Sequence, residues 1–347
     1  MRKMISTYEG FVTSLVNGGS IDSCEQIQSL WSGYGEILRI HLRGGDHSSV
    51  ILKHIRLPQA AEHPRGWNST LSHQRKVKSY QVETHWYQHY ASLCTQGCPV
   101  PKCLGVSASF NESNKDSIKE SNSETFMLLT DLSAAGFSQV KTSIPLQEVR
   151  ACLSWLAHFH ATFLQHSSEG LWDCGTYWHL DTRPDELAAL DDQRLKQAAP
   201  WIDQALKQSH YQTLVHGDAK LANFCFAPAN STVSASPVAA VDFQYVGAGC
   251  GMKDVAYFMG SCLSDAECEQ LEVPLLEYYF QVLRSAVNKL HPQVDAAHLE
   301  HEWRSLFDVA WADFHRFLKG WSPGHWKINS YSEQLTQRVI QRLGSAL

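Results

Sequence analysis

The period of the hydrophobic positions changes about a third of the way along the chain. Residues 36–42 (EILRIHL) and 49–55 (SVILKHI) are short runs rich in β-branched residues, separated by the turn Arg43-Gly-Gly-Asp, and they predict two strands. A helix is predicted over residues 76–94, where Tyr80, Trp86, Tyr87 and Tyr90 recur at helical spacing. Residues 126–130 (FMLLT) have the character of a buried strand. Over residues 148–165, Val149, Cys152, Leu153, Leu156, Phe159, His160 and Phe163 fall on one face of an amphipathic helix. From Asp254 to the end the patterns are helical. Two polar stretches, residues 107–124 and 227–236, lie between strand-like runs and predict long hairpin loops. The fold class this order implies is α+β, a β-rich first third and a mainly helical remainder.

At 347 residues the chain is long enough for one large domain or two modest ones, and 44% hydrophobic with 18% charged residues is ordinary globular composition. The net charge of −6 comes with scattered basic residues. That is no nucleic-acid footprint, and it favours a cationic small molecule over an anionic one. No window approaches the ~18 apolar residues of a membrane span. The opening MRKMISTYEGFVTSLVNGG lacks a long apolar stretch and a cleavage site, so mature protein is expected there. Ten cysteines are too sparse for a disulfide scaffold and point to reduced thiols and a cytoplasmic location. Cys94, Cys98 and Cys103 lack the tight paired spacing of a zinc site. His54 and His158 to His160 are expected to be packed or solvent-facing imidazoles.

The segment that carries chemistry is residues 214–226, LVHGDAKLANFCF. Two apolar, strand-like pieces bracket His216-Gly217-Asp218 and Asn223. An Asp and an Asn on one rigid loop can divide the labour of phosphoryl transfer: the carboxylate orients or accepts the attacking hydroxyl's proton, and the amide oxygen takes a magnesium position. Lys220 is placed to reach the transferring phosphoryl group. Asp242, in AAVDFQ, stands at the end of an apolar strand, a good position for a hard-cation ligand. Either motif alone could be a structural loop; their order and spacing (218 to 242) make the pair specific.

The remaining parts of an ATP site can be sought upstream. Lys53 sits in an otherwise apolar strand, costly unless its charge is used. It would grip the α- and β-phosphates and pair with Glu83 on the following helix, Glu62 being a weaker partner. An outward lysine and a solvated helix face are the competing explanations. The segment Ser32-Gly33-Tyr34-Gly35-Glu36 could cover the phosphates, but with two glycines it could equally be an ordinary turn. Asp131, after the FMLLT strand, is either structural or ribose-facing.

At these residues the chain resembles the aminoglycoside phosphotransferase and choline kinase superfamily, and within it the ecdysteroid-kinase-like branch. HGDAKLANF (residues 216–224), VDFQ (241–244), DVAYF (254–258) and LAHFHA (156–161) carry the resemblance, which spans roughly residues 30 to 320. It implies a protein-kinase-like, two-lobed fold: a small β-rich N-lobe over residues 1–131 and a larger helical C-lobe over 132–347 that forms an acceptor pocket. It also implies ATP and Mg²⁺ as cofactors, Asp218 as base, Asn223 and Asp242 as metal ligands, and Asp254 as a structural carboxylate holding the loop. Lys53, Glu83, Gly33, Gly35 and Asp131 would serve the nucleotide. Position 220 departs from the family: Lys stands where that branch more often has an aromatic residue and the antibiotic kinases His.

Only 12 residues separate Asp242 from Asp254 and no A-P-E segment follows, which leaves no room for a protein kinase's activation loop. A small-molecule hydroxyl acceptor is therefore expected. Trp303, Phe307, Trp311, Phe314, His315 and Trp321 form an aromatic stretch that is either a core stripe or an acceptor wall near Asp308 or Asp313. A nucleotide-binding pseudokinase without turnover is the alternative function, and an unrelated α+β protein the third.

Overall fold

The computed structural model describes residues 2–30, 33–56, 69–107, 124–229 and 236–344, which divide into two compact units. The first is built on Met1–Ser92 and Val100–Gln139, with the short stretch Ala227–Thr232; the second comprises Leu93–Pro99, Val140–Phe226 and Val233–Leu347.

The first unit is a five-stranded antiparallel sheet with helices against it. Its strands are β1 (Ser20–Ser29), β2 (Gly35–Arg43), β3 (Ser49–Arg56), β4 (Cys103–Val106) and β5 (Glu124–Thr130), in the spatial order β1-β2-β3-β5-β4. Its helices are α1 (Arg2–Leu15) and α2 (Ser69–His89). Alternation along β3 sorts its residues between two faces. Val50 and Leu52 join Leu38, Ile40 and Leu128 under Tyr8, Val12 and Val16 of the N-terminal segment. On the other face Lys53 meets Glu83 of α2, and Ile55 packs with Tyr80.

Both central strands fall where the hydrophobic pattern predicts them, and β4 and β5 pair antiparallel, as a hairpin loop requires. Most of that loop lies outside the described residues. Two expectations need revision. The helix α1 and the edge strand β1 precede the first predicted strand. The sequence of β1, SIDSCEQIQS, is largely exposed, so its pairing with β2 and not its own apolar face defines it. The helix predicted from residue 76 begins at Ser69 and ends at His89, and Ala91–Leu93 form a separate 3-10 turn. Glu62, the weaker partner considered for Lys53, lies outside the described residues, as does Ser32.

The second unit is mainly helical: α3 (Leu146–Thr162), α4 (Pro184–Ala188), α5 (Gln193–Lys207), α6 (Met252–Cys262), α7 (Asp265–Leu290), α8 (Ala296–Trp321) and α9 (Ser330–Gly344). The chain leaves α3 through Gln165 in a left-handed conformation (φ 59), with its N–H donated to Gln212 O at 2.8 Å. This ends the helix earlier than its apolar stripe does. Helix α7 opens on a reciprocal capping box between Ser264 and Glu267, and α8 on Asp295, whose Oδ1 accepts from the N–H groups of Ala297 and His298. Four short strands carry the loops of interest: β6 (Thr213–Val215) pairs with β9 (Gly247–Gly249), and β7 (Phe224–Phe226) with β8 (Val238–Ala240). The β7–β8 ladder is the hairpin expected around residues 227–236, of which 230–235 are outside the described residues.

The aromatic stretch of α8 is a core stripe: Trp303, Phe307, Trp311 and Phe314 are all buried. Trp303 Nε1 donates to Tyr211 O and Trp311 Nε1 to Ser332 Oγ. Asp313 accepts from Trp178 Nε1 and Arg316, and Asp308 pairs with Arg342. These partners occupy the polar atoms of Trp303, Trp311, Asp308 and Asp313.

Candidate active site

In the first unit, Lys53 Nζ lies 2.6 Å from Glu83 Oε2, with Lys53 4% and Glu83 2% exposed. The register that puts Lys53 opposite Ile37 and Met127 turns its stem onto the α2 face, where the ammonium also lies 5.6 Å from the Tyr80 ring centroid. A buried lysine is tolerated here because its charge is met at hydrogen-bond distance. Gly35 adopts φ +124, and a Cβ on it would fall 1.9 Å from His54 O. Gly33, at φ +78, has open space around it. Both glycines therefore shape the turn into β2, and Gly35 is demanded by the sheet itself. Both oxygens of Asp131 are occupied: Oδ2 accepts from Arg39 Nε (2.8 Å) and Ser49 Oγ (2.7 Å), and Oδ1 from Ser133 N (2.9 Å). Burial opposes ionisation, but these bonds hold the carboxyl below its usual pKa. The structural alternative for Asp131 is the one this geometry fits.

In the second unit the loop after β6 is anchored by Asp254 of α6. Its Oδ2 accepts the N–H of His216 at 2.6 Å and its Oδ1 that of Gly217 at 2.9 Å. Asp254 is itself held by His160 Nε2 at 3.1 Å, whose Nδ1 meets Tyr279 OH at 2.8 Å. Gly217 has φ +78, and a Cβ there would lie 2.1 Å from Tyr245 O, so the loop passes too close to its neighbour for any side chain. His216 ties the two motifs together. Its Nε2 faces Val241 O at 3.0 Å, and its Nδ1 faces the N–H of Asp218 at 3.2 Å. That arrangement requires the neutral Nε2–H tautomer.

Three side chains converge on the Asp218 carboxylate. Its Oδ2 accepts from Lys220 Nζ (2.8 Å) and Asn223 Nδ2 (3.2 Å), and its Oδ1 from Tyr257 OH (3.1 Å). Asn223 Nδ2 also donates to Asp218 O at 2.8 Å, which turns the amide oxygen away from Asp218. The Val241 N–H donates to Asn223 O at 3.0 Å, bringing Asp242 beside Asn223. Asp242 adopts a left-handed backbone (φ 69), uncommon for a residue with a side chain and costly enough to mark a constrained position. Burial raises the Asp218 pKa; Lys220 draws it down and the nearby Asp242 charge pushes it up again, with a net rise. Lys220 is raised: burial works against the ammonium, and Asp218 and Asp242 outweigh it.

Two carboxylates held close, with an amide oxygen beside them, form a hard-oxygen donor set suited to Mg²⁺. Asn223 Oδ1 and Asp242 are the groups that would hold the ion. Burial is the main cause of the raised Asp218 pKa, and the smaller contribution of the Asp242 charge is what a cation there would offset.

Tyr257, Tyr177 and Lys327 also stand near Asp218, and the sequence alone does not single them out. Tyr257 comes three residues after Asp254, one helical turn along α6, and this spacing is the signal available. Tyr177 donates to Tyr257 OH at 3.2 Å. Lys327 comes from the α8–α9 connection, and its Nζ lies 5.1 Å from the Tyr257 ring centroid and 5.6 Å from that of Phe314. Burial lowers its pKa to about 8, although Asp218 favours the charged form. No local pattern connects Lys327 to a loop more than a hundred residues away.

Residues 174–292 match the ecdysteroid kinase-like family. No curated protein matches the chain in sequence. Among solved structures, a protein of Ralstonia eutropha JMP134 provisionally described as an aminoglycoside phosphotransferase superposes with a TM-score of 0.52 at 14% identity, covering 97% of this chain and 95% of its own. An amicoumacin kinase in complex with AMP-PNP and Ca²⁺ aligns at TM-score 0.49 and 12% identity, covering 100% and 96% of the two chains. A microcompartment-associated aminopropanol kinase aligns at 0.47 and 13%, covering 99% and 95%. The chain has the α+β, two-lobed, protein-kinase-like fold of the aminoglycoside phosphotransferases, and its residues 174–292 are similar to the ecdysteroid kinase-like family.

Proposed function

We propose that this protein is an ATP-dependent phosphotransferase that moves the γ-phosphoryl group to a hydroxyl of a small molecule. The observation that carries this is the buried Asp218 carboxylate, held by Lys220, Asn223 and Tyr257 and raised in pKa beside Asp242. A carboxylate less willing to stay ionised is better matched to take a proton from an alcohol.

Asp218 orients the acceptor hydroxyl for in-line attack and takes its proton as the new P–O bond forms and the bond to the β-phosphate oxygen breaks. Lys220 is already at Asp218 and supplies positive charge where the transferring oxygens gather it. Lys53, fixed in direction by Glu83, grips the nucleotide phosphates. Mg²⁺, held by Asn223 and Asp242, would supply charge neutralisation at the phosphates. Gly33 and Gly35 let the turn into β2 follow the phosphates closely. Ten free thiols suit a reducing cytoplasm, and no helix of the described residues is long and apolar enough to cross a membrane.

The experiment is a thermal-shift measurement with Mg-ATP on wild type and Asp242→Ala. Nucleotide at ~100 times its dissociation constant adds roughly 2.7 kcal/mol to a two-state fold, several degrees for a chain of this size. A magnesium-dependent shift in wild type that vanishes in the variant is expected. No shift in either at millimolar nucleotide would overturn the proposal.

A further inference from the structure

A second cluster of reactive groups lies in the helical unit. Cys174, His179 and Asp203 bring a sulfur, a ring nitrogen and a carboxylate oxygen within 4.8 Å of one another. Lys253 Nζ, 2% exposed, is 3.3 Å from Cys174 Sγ. His179 Nδ1 lies 3.4 Å from Asp203 Oδ1, and its Nε2 lies 3.2 Å from Asp181 Oδ2. Lys207 closes the cluster, 2.8 Å from Asp203 and 3.1 Å from Asp181. Asp313 faces Lys253 at 3.9 Å but is already matched by Arg316 at 2.8 Å. Cys174, Lys253 and Lys207 line a cavity of about 210 Å³.

The charges decide what the cluster can do. Lys253, Lys207 and a protonated His179 balance Asp203, Asp181 and a Cys174 thiolate. A divalent cation among Cys174, His179 and Asp203 would have to displace a buried ammonium already in contact with the sulfur. We infer that Cys174, in contact with Lys253 and close to His179, is an activated thiol and a modification site for hydroperoxides and soft electrophiles entering this cavity.

The proton equilibria run the same way. Burial works against the Cys174 thiolate, but Lys253 and His179 bring its pKa below the usual thiol value. Burial likewise opposes the His179 imidazolium, and Asp203 and Cys174 raise it to about 9. With a hydroperoxide the step balances. The thiolate attacks one peroxide oxygen and the O–O bond breaks. Sulfur is oxidised to a sulfenic acid, and the departing oxygen leaves as alcohol or water after taking the His179 proton. None of these residues belongs to the set around Asp218, so the inference stands apart from the phosphotransfer proposal.

The test is site-resolved alkylation by iodoacetamide, read by peptide mass spectrometry at pH 6 and pH 8. A thiol of ordinary pKa loses roughly seventy-fold in thiolate between pH 8 and pH 6. Cys174 is expected to slow clearly less than an ordinary thiol does, and because the ratio compares one site with itself, access cancels. Lys253→Met should restore a steep dependence; if that variant does not fold, the wild-type ratio decides alone. A dimedone adduct at Cys174 after hydrogen peroxide is also expected. A drop of about seventy-fold or more at Cys174 would overturn the inference, as would stoichiometric zinc binding that protects this cysteine from alkylation.

Discussion

Asp254 accepts the backbone N–H of Gly217 at 2.9 Å, and so holds the His216–Gly217 peptide just ahead of Asp218. With the companion bond to His216 N, a single buried carboxylate sets the direction in which the loop leaves β6. Asp254→Ala would strand two buried N–H donors and the His160 ring, at a cost of about 3–5 kcal/mol. The urea midpoint should fall accordingly. An unchanged midpoint would show that the loop is held some other way.

Asp218→Ala should lower phosphotransfer by about 10²–10⁴-fold while leaving Mg-ATP affinity within a few-fold. Single-turnover assays together with nucleotide titration separate the two. Wild-type turnover in the variant would remove Asp218 from the role of base.

The same residue should show a trade between function and stability. Its folded-state pKa is raised by burial, so the folded state favours the protonated carboxyl. Its contribution to stability is complete below the unfolded value of about 4 and is lost as pH rises through the raised value. Asp218→Asn should therefore unfold at a higher temperature than wild type at pH 7, with the difference shrinking toward pH 3. A variant less stable than wild type at pH 7 would mean that the Lys220 and Tyr257 bonds outweigh the desolvation of the carboxylate.

Lys53→Met leaves Glu83 buried without its ammonium and should cost about 3–5 kcal/mol. Adding Glu83→Gln should recover much of that loss, because the stranded charge goes with it. Nucleotide affinity should stay low in both proteins. Recovery of affinity in the double variant would show that the pair serves structure alone.

Gly35→Ala forces a Cβ onto His54 O at a positive φ and should destabilise by about 1–3 kcal/mol. Gly33→Ala has space but keeps the backbone strain (φ +78), and should cost less. Equal midpoints for the two variants would contradict the close approach seen at Gly35.

Local pattern made much of this molecule legible. Short β-rich runs bounded by turn signals marked β2 and β3, and a continuous apolar run marked β5. The 3.6-residue period marked α2, α3 and α8, whereas the pairing of Lys53 with Glu83 was expected only from what an ATP site requires. Asp218 and Asn223 share one short loop, so their proximity follows from five residues of chain. The edge strand β1 was not legible, because SIDSCEQIQS buries little and its ladder partner is what orders it. Asp131 stayed ambiguous because Arg39 and Ser49, which occupy one of its oxygens, reach it only across the sheet.

The sequence by itself determined the α+β order, the central strands and the two loops bearing Asp218 and Asp242, since these depend on neighbours a few residues apart. Only the tertiary structure decided that Tyr257 and Lys327 stand near Asp218, that His160 and Tyr279 stand behind Asp254, and that Cys174 meets Lys253. Those contacts join residues tens to more than a hundred positions apart. Their geometry is set by how whole helices pack, and no local periodicity records that.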